Sequence, residues 1–244
     1  MLIYGINPVV EALRAGRVKA LRVSERATVT TGRVADVIQH AERAGVPVQR
    51  VTPAELDRAV GGGARHRHQG VVADVREPES FGVEELVAQA KGVPLIVVLD
   101  GIEDPHNLGA ILRTVDAAGA DGVVRQARHA APLGGAAAKA SAGAVSHVKI
   151  AEVVNIARAI EELKQVGVWT VGFAGDAPKR YDELDLTLPT AFVVGAEGTG
   201  LRRLVRERCD WVVAIPMAGH VQSLNVSVAT GIALFEALRQ RAHK

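Results

Sequence analysis

Residues 189–201 read PTAFVVGAEGTGL, and residues 209–239 read CDWVVAIPMAGHVQSLNVSVATGIALFEALR. Each stretch places a short apolar strand, predicted at 191–194 and 211–215, directly before a turn rich in glycine and small polar residues. The second turn leads into a long C-terminal helix, predicted over 226–241. Because open α/β sheets bind ligands at the carboxyl ends of their strands, these turns predict a binding site built mostly from backbone groups.

The preceding chain alternates strands and helices in the same way. An apolar run at 95–99, bounded by Pro94 and Asp100, is typical of a parallel strand buried on both faces. Further elements are predicted in the order helix 108–118, strand 122–124, helix 134–142, strand 148–150, helix 153–166 and strand 168–173. This alternation favours an α/β domain with a parallel sheet.

The N-terminal part of the chain predicts a second, smaller α/β unit. Asn7-Pro8 predicts a helix capped by Asn7, and Thr52-Pro53 predicts another helix start. A unit of about seventy residues is large enough to be a domain by itself. We therefore predict a first domain at 1–75, a linker with the first helix of the second domain at 76–90, and a second domain at 91–244.

Composition excludes several classes of protein. The single cysteine, Cys209, cannot form an intramolecular disulfide and favours a reducing compartment. We find neither a signal peptide at the N-terminus nor a run of about 18 apolar residues that would span a membrane. No zinc site can be assembled around Cys209 at the usual ligand spacing. We expect a cytoplasmic protein with no membrane partner and no metal.

Charge is uneven along the chain, although the formal net charge is only +2. Residues 1–75 carry 11 Lys and Arg against 7 Asp and Glu, whereas residues 76–244 carry 18 against 20. This asymmetry indicates that the N-terminal part contacts a polyanion, although scattered surface arginines that only keep a protein soluble give the same pattern.

Three groups of polar residues follow predicted strands. The first holds Asn107 and Arg113, the second Glu197, and the third Ser223 and Asn225. Taken singly, Asn107, Ser223 and Asn225 stand where helix caps occur, and Arg113 and Glu197 are ordinary surface charges. Taken together, they are more numerous than capping requires, and the planar fork of donors on Arg113 suits a phosphate or ribose edge.

In order and spacing, these motifs resemble the SpoU/TrmH family of RNA ribose 2′-O-methyltransferases, within the SPOUT superfamily. Asn107 and Arg113 match the first family motif, GAEGTGL the second, and IPMAGHVQSLNVSVATGIALFE the third, so that the resemblance covers residues 94–244. The opening YGINPVVEALRAG is similar to the substrate-binding domain of the RlmB-like subgroup, whose members methylate a guanosine ribose in large-subunit (23S) ribosomal RNA.

The resemblance implies a fold, a cofactor and a set of site residues. The fold is a SPOUT-type α/β domain with a C-terminal trefoil knot, preceded by a small L30e-like α/β domain. The cofactor is S-adenosyl-L-methionine, and the active form is a homodimer whose site takes residues from both chains. The implied catalytic residues are Asn107, Arg113, Glu197, Ser223 and Asn225, and the implied cofactor contacts are Gly195, Gly198, Ile215, Met217 and Leu224. We expect RNA contacts at Arg65, Arg67 and His68.

Other functions remain open from the sequence. The same chemistry can act on transfer RNA or on a ribosomal RNA adenosine, although the N-terminal domain favours ribosomal RNA guanosine. A non-catalytic RNA-binding or ribosome-assembly factor would keep the fold without the reaction. A nicotinamide-dependent enzyme is disfavoured because no G-x-G-x-x-G fingerprint follows the strand at 95–99.

Overall fold

The computed structural model describes residues 1–26, 32–61, 68–77 and 79–242. The chain forms two compact units, one comprising Met1–Pro78 with Pro132–His147 and the other Glu79–Ala131 with Val148–Lys244. The sequence places 132–147 within the continuous range 91–244, whereas in the structure this segment packs with the first unit. The continuous bounds 1–75, 76–90 and 91–244 stay a prediction.

The first unit is built on a mixed sheet. In chain order its elements are β1 (Leu2–Tyr4), α1 (Ile6–Arg14), β2 (Val18–Ser24), α2 (Gly32–Arg43), β3 (Val48–Val51), α3 (Pro53–Ala59) and β4 (Val71–Val75). The sheet order is β1–β4–β2–β3, with β4 antiparallel to β1 and β2 and with β2 parallel to β3. Tyr4, Val51, Leu56 and Val72 form a buried cluster between the sheet and α3.

Local sequence explains how two helices of this unit begin. The side chains of Thr52 and Glu55 cap each other's backbone N–H groups, so the predicted start at Thr52-Pro53 is confirmed. The predicted cap at Asn7 is wrong, because α1 already begins at Ile6. The Ile6 N–H instead donates to Oε1 of Gln69 at 2.9 Å, so a distant side chain takes the capping role.

The segment 132–147 is held to the first unit by specific contacts. It forms α6 (Gly135–Ala140) and a 3-10 helix (Ala144–Ser146). Its carbonyl at Val145 accepts a hydrogen bond from the Arg17 guanidinium at 3.1 Å. Gly143 has φ 99°, and a Cβ there would lie 2.6 Å from Cβ of Glu11. Only glycine therefore allows the segment to approach α1 this closely.

The second unit confirms the predicted α/β domain with a parallel sheet. Its elements are α4 (Val83–Ala88), β5 (Leu95–Asp100), α5 (Pro105–Ala117), β6 (Gly122–Gln126), β7 (Ile150–Val153), α7 (Ile156–Gln165), β8 (Trp169–Phe173), β9 (Lys179–Arg180), a 3-10 helix (Tyr181–Glu183), β10 (Thr190–Gly195), α8 (Arg203–Arg208), β11 (Trp211–Ala214) and α9 (Val226–Ala242). Among the described residues the strand order is β7–β6–β5–β10–β8–β11–β9, with every pair parallel.

Helices cover both faces of this sheet. All six residues of β5 are buried, as the continuous apolar run predicts for a strand covered on both sides. Ile96, Val98 and Val193 belong to a core cluster with residues of α4, α7 and α8. The alternate side chains point to the opposite face, where α5 contacts β6 and α9 contacts β10. Within the described part of the chain, no helix combines the length and apolar character needed to cross a bilayer.

The centre of the sheet places two turns side by side. β5 and β10 are neighbours, and Asp100 at the end of β5 lies opposite Gly195 at the end of β10. The next strand along the chain after β5, which is β6, lies on its other side. This is the kind of crevice at the carboxyl ends of parallel strands where open α/β sheets bind ligands.

Candidate active site

The turns after β10 and β11 enclose a cavity of about 580 Å³, which we call the glycine cavity. The start of α9 and the turn after β8 complete its walls. All five residues implied as cofactor contacts line it, namely Gly195, Gly198, Ile215, Met217 and Leu224. The structure therefore brings together residues that lie up to 29 positions apart in the sequence.

The turn after β10 closes on itself very tightly. The Gly200 N–H donates to the Ala196 carbonyl at 2.8 Å, and the two residues form an antiparallel bridge. A Cβ at Gly195 would lie 2.2 Å from the carbonyl carbon of Gly200. Gly198 and Gly200 have φ of 79° and 65°, which side chains disfavour. The turn thus requires glycine at position 195 and favours it at positions 198 and 200.

A hydrogen-bonded group, which we call the amide bridge, joins all three polar motifs. The Asn225 side-chain N–H₂ donates to Oδ1 of Asn107 at 2.9 Å and to Oε1 of Glu197 at 2.6 Å. The Asn225 carbonyl oxygen accepts from both the backbone N–H and the hydroxyl of Ser227, at 2.9 and 2.6 Å. Because the Ser227 N–H can only donate, these bonds fix which way the Asn225 amide points.

Asn225 therefore has two functions at once. Its oxygen caps the first turn of α9, as expected for an Asn that precedes a helix. Its N–H₂ group is left to cross-link α5 and the glycine turn. From the sequence, capping and a site role are alternatives for this residue, whereas the geometry accommodates both.

Asn107 does not cap its helix. α5 begins at Pro105 rather than at the predicted residue 108, and Asp104 caps it by accepting from the His106 N–H at 2.9 Å. Asn107 is the third residue of the helix and is only 7% exposed. Its oxygen is consequently available to Asn225.

A second cavity, of about 430 Å³, adjoins the first, and we call it the acidic cavity. It lies over the carboxyl ends of β5, β6 and β10. Ala196, Glu197, Thr199, Gly200 and Val226 line both cavities. Asn107 lines the acidic cavity and Asn225 the glycine cavity, so the amide bridge stands at the boundary between them. Four carboxylates line the acidic cavity: Asp100, Glu103, Asp104 and Glu197.

Asp100 is a site residue that sequence reasoning missed. Its side chain is completely buried and accepts from the backbone N–H and from Nε of Arg202, at 2.8 and 2.7 Å. These bonds tie the end of β5 to the end of the glycine turn. A charged residue directly after a wholly apolar strand was the available signal, because a buried carboxylate requires a partner.

The other predicted site residues lie as follows. Ser223 is exposed and lines the glycine cavity. Arg113 is exposed on α5, lines neither cavity and makes no hydrogen bond or ion pair with any described residue. Arg65 and Arg67 lie outside the described residues. His68 is buried in the first unit, where its Nδ1 accepts from the Gly70 N–H at 2.9 Å, a placement that favours a structural role.

Two pKa shifts occur around the glycine cavity. The Arg206 guanidinium, 3.0 Å from Asp176 at the cavity wall, lowers the pKa of that carboxyl. Burial raises the pKa of the Cys209 thiol to about 12. Cys209 packs behind Gly172, where a Cβ would lie 3.0 Å from its Sγ. No cluster of three or more His, Cys, Asp or Glu side chains suited to a metal ion occurs among the residues that the structure describes.

Comparison with known proteins agrees with this geometry. A family model described as SpoU rRNA Methylase family matches residues 94–235, and one described as RNA 2′-O ribose methyltransferase substrate binding matches residues 2–81. The chain belongs to the SpoU rRNA methylase family. It is 46% identical over 247 residues to the 23S rRNA (guanosine-2′-O-)-methyltransferase RlmB of Pseudomonas syringae pv. tomato, covering 99% of this chain and 96% of that protein.

Solved structures of SpoU methyltransferases share the fold. One is AviRb from Streptomyces viridochromogenes in complex with AdoMet, with a TM-score of 0.82 and 25% identity over 100% of this chain and 91% of that one. Another is an AdoMet-bound rRNA methyltransferase from Sinorhizobium meliloti, with a TM-score of 0.77 and 28% identity over 98% and 86%. The SPOUT-type α/β fold is confirmed, and the trefoil knot and the L30e-like character of the first unit stay predictions.

Proposed function

We propose that this protein transfers the methyl group of S-adenosyl-L-methionine to the ribose 2′-hydroxyl of a guanosine in 23S ribosomal RNA. The observation that carries the proposal is the pair of adjoining cavities, with the amide bridge between them, in a chain of the SpoU family. The guanosine and the 23S RNA follow from relatives such as RlmB of Pseudomonas syringae pv. tomato. Because this substrate is found in the cytoplasm, we propose that the protein acts there.

The glycine cavity has the properties that this cofactor requires. Its volume of about 580 Å³ falls within the range of small-molecule sites. The glycine turn presents free backbone groups for the hydrogen-bonding edges of an adenosine, and Ile215, Met217 and Leu224 provide apolar surface. Glu197 and Asp176 both line this cavity; Asp176 is paired with Arg206, and Glu197 supplies negative charge that complements a sulfonium or an ammonium group.

The mechanism assigned to the side chains is mainly positional. S-adenosylmethionine supplies, when bound, a methyl group on a sulfonium that is already a good leaving group. The amide bridge fixes Asn107 and Glu197 on either side of Asn225, so their remaining polar atoms are preorganised to orient the ribose hydroxyl. Ser223, on the wall of the glycine cavity, is assigned the same orienting role toward the cofactor.

Arg113 is proposed to act in a second copy of the chain. Six residues along a helix correspond to a rotation of about 240°, so Arg113 and Asn107 point to different sides of α5. A side chain that lines neither cavity of its own chain is available to a neighbouring one. We therefore assign Arg113 to the site of a homodimer partner, where its charge neutralises a phosphate and stabilises the developing alkoxide.

Mixing two inactive variants tests this assignment. In a heterodimer of Arg113→Ala and Asn225→Ala chains, one site regains both residues if Arg113 acts across the interface. We expect about a quarter of wild-type methyl transfer after equilibration of an equal mixture, since half the dimers carry one intact site. No recovery, despite heterodimers detected by mass spectrometry, would place Arg113 in the site of its own chain.

A pH–rate profile separates the two possible roles of Arg113. An arginine has a pKa above about 12 and is a poor base. If its role is electrostatic, Arg113→Lys lowers the rate without changing the shape of the profile. A shift of the profile toward lower pH in the lysine variant would indicate that residue 113 accepts the proton.

Methyl transfer to purified RNA tests the proposed function as a whole. The acceptors are large-subunit RNA and transfer RNA from a strain that lacks this protein, and the labelled nucleotide is then mapped. We expect 2′-O-methylguanosine in the large-subunit RNA. Label in transfer RNA or on an adenosine would change the substrate, and the absence of cofactor binding by calorimetry would indicate a non-catalytic RNA-binding protein.

A further inference from the structure

Gln126 and Glu103 are polar side chains of the acidic cavity that have no side-chain partner among the described residues. Gln126, at the end of β6, is only 9% exposed, and its side-chain amide makes no hydrogen bond with any described residue. Glu103, in the turn between β5 and α5, likewise has no hydrogen bond or ion pair among the described residues. Between them, these two side chains offer a ligand in the cavity a carboxylate that accepts hydrogen bonds and an amide that both donates and accepts them.

The other carboxylates of this cavity are already engaged. Asp100 is bonded to Arg202, Glu197 accepts from Asn225, and Asp104 accepts from the backbone N–H of His106. Glu103, which is exposed, is the carboxylate of this cavity that accepts no hydrogen bond from any described residue. Because four carboxylates line the cavity and its arginine is paired with Asp100, the field disfavours a phosphate, and a ligand with N–H donors matches the acceptors of the wall.

Guanine presents such a group. Its Watson–Crick edge offers two adjacent donors, N1–H and the N2 amino group, followed by the O6 acceptor. A carboxylate accepts from both donors, and an amide N–H donates to O6. Adenine places an unprotonated N1 at the same point, which repels a carboxylate. Proteins read single bases of RNA by hydrogen bonds of this kind to an exposed edge.

We propose that the acidic cavity binds the base of the nucleotide to be methylated, with Glu103 and Gln126 as the residues that select guanine. This inference rests on the proposed function, and it extends that function to the side chains that read the base. The walls shared with the glycine cavity then place the attached ribose at the amide bridge, between base and methyl donor.

A set of RNA fragments tests the proposal. Fragments of the mapped target carry guanosine, inosine or adenosine at the acceptor position, and inosine differs from guanosine only by the missing N2 amino group. For the wild type we expect kcat/KM to fall about fivefold or more from guanosine to inosine, because the missing N2 donor breaks a bidentate base-edge contact that is worth about 1–3 kcal/mol when complete. Fluorescence anisotropy with S-adenosylhomocysteine present gives the same comparison for binding alone.

Variants assign the effect to the two side chains. Glu103→Gln and Gln126→Ala are each expected to lower kcat/KM on guanosine about tenfold or more. In Glu103→Gln, the ratio of kcat/KM on guanosine to kcat/KM on inosine is also expected to come close to one. Cofactor affinity by calorimetry stays unchanged in both. Glu84→Gln, on the exposed surface of α4, is the matched control and keeps the wild-type ratio.

Two results would overturn the inference. If both variants keep the wild-type rate on guanosine and the wild-type guanosine-to-inosine ratio, in activity and in binding, the acidic cavity does not read the base. If the wild type methylates no RNA at all, the proposed function fails and this inference fails with it. Thermal melting of each variant separates a local effect from loss of folding.

Discussion

The two adjoining cavities share one wall, and the rest of their linings differs. The glycine cavity is formed mainly by two continuous turns, and its contacts come from backbone and from apolar side chains such as Ile215 and Leu224. The acidic cavity shares the glycine turn and adds residues from the ends of β5 and β6 and from α5, and four carboxylates lie among its lining residues. A ligand of fixed structure suits a wall of backbone, whereas selection among bases requires side chains. The difference supports the proposal that the methyl donor binds in the glycine cavity and the acceptor base in the acidic cavity.

The largest expected effect comes from the boundary between the cavities. Asn225→Asp keeps the size of the side chain but replaces both donated hydrogen bonds by contacts between acceptors, at Asn107 and at Glu197. We expect kcat to fall roughly 100-fold, because Asn107 and Glu197 lose the bonds that hold them in position for the reaction. Single-turnover methyl transfer measures this rate.

Ser227→Ala is the control for that experiment. It removes one bond to the Asn225 oxygen and leaves the backbone N–H of Ser227 and both donated bonds in place. Its rate is expected to change less than about fivefold. If Asn225→Asp and Ser227→Ala lower the rate of methyl transfer equally, the bonds that Asn225 donates to Asn107 and Glu197 are not specifically required for the reaction.

The backbone construction of the glycine cavity is tested by Gly195→Ala. The added methyl group would overlap the carbonyl carbon of Gly200, so the turn must open. We expect cofactor affinity to fall at least about tenfold and the free energy of unfolding to fall by about 1–3 kcal/mol. Gly92→Ala, where a Cβ meets no atom within 4 Å, is the matched control. Unchanged cofactor affinity in Gly195→Ala would mean that this turn does not form the binding wall.

The buried Asp100 joins the end of β5 to the end of the glycine turn through its bonds to Arg202. Asp100→Asn removes the charge that Arg202 pairs with, and we expect the free energy of unfolding in urea to fall by about 2 kcal/mol. Arg203→Gln breaks an ion pair in which the side chains are 85% and 52% exposed, and its effect should stay below about 0.5 kcal/mol. Similar losses from both substitutions would argue against a special role for the buried pair.

The smallest effect concerns the packing behind the glycine cavity. With a pKa of about 12, the Cys209 thiol stays protonated at pH 8.5, and iodoacetamide should modify the folded protein on the order of a thousandfold more slowly than the urea-unfolded chain. Because the folded pKa lies above the unfolded one, this group reduces stability as pH rises past about 8.5. Rapid alkylation of the native protein would show that the region opens readily.

The contrast between the cavities also explains what the sequence predicted. The strand–turn units around GAEGTGL and IPMAGHVQSLN are continuous, so periodicity and glycine pattern predict the parallel strands that position the glycine cavity. The family resemblance then supplied its five lining residues, which the structure groups together. The acidic cavity joins Glu103, Gln126 and Arg202 from separate elements, and no local pattern marks residues that meet only through sheet topology.

Other features of the fold could not be predicted from the sequence, for similar reasons. The Gln69 bond at the start of α1 and the packing of 132–147 with the first unit both depend on contacts between residues far apart in the chain. The short α8 was missed because Arg203–Arg208 carries four charged residues and little apolar periodicity. Its position follows from the buried Val205 and from contacts with α7.

A crystal structure of the protein with S-adenosylhomocysteine tests the division between the two cavities most directly. We predict that the ligand occupies the glycine cavity, in contact with Gly195, Ile215 and Leu224, and leaves Glu103 and Gln126 uncovered. A ligand that lies in the acidic cavity, or that covers Glu103 and Gln126, would contradict the assignment of methyl donor and acceptor base to separate cavities.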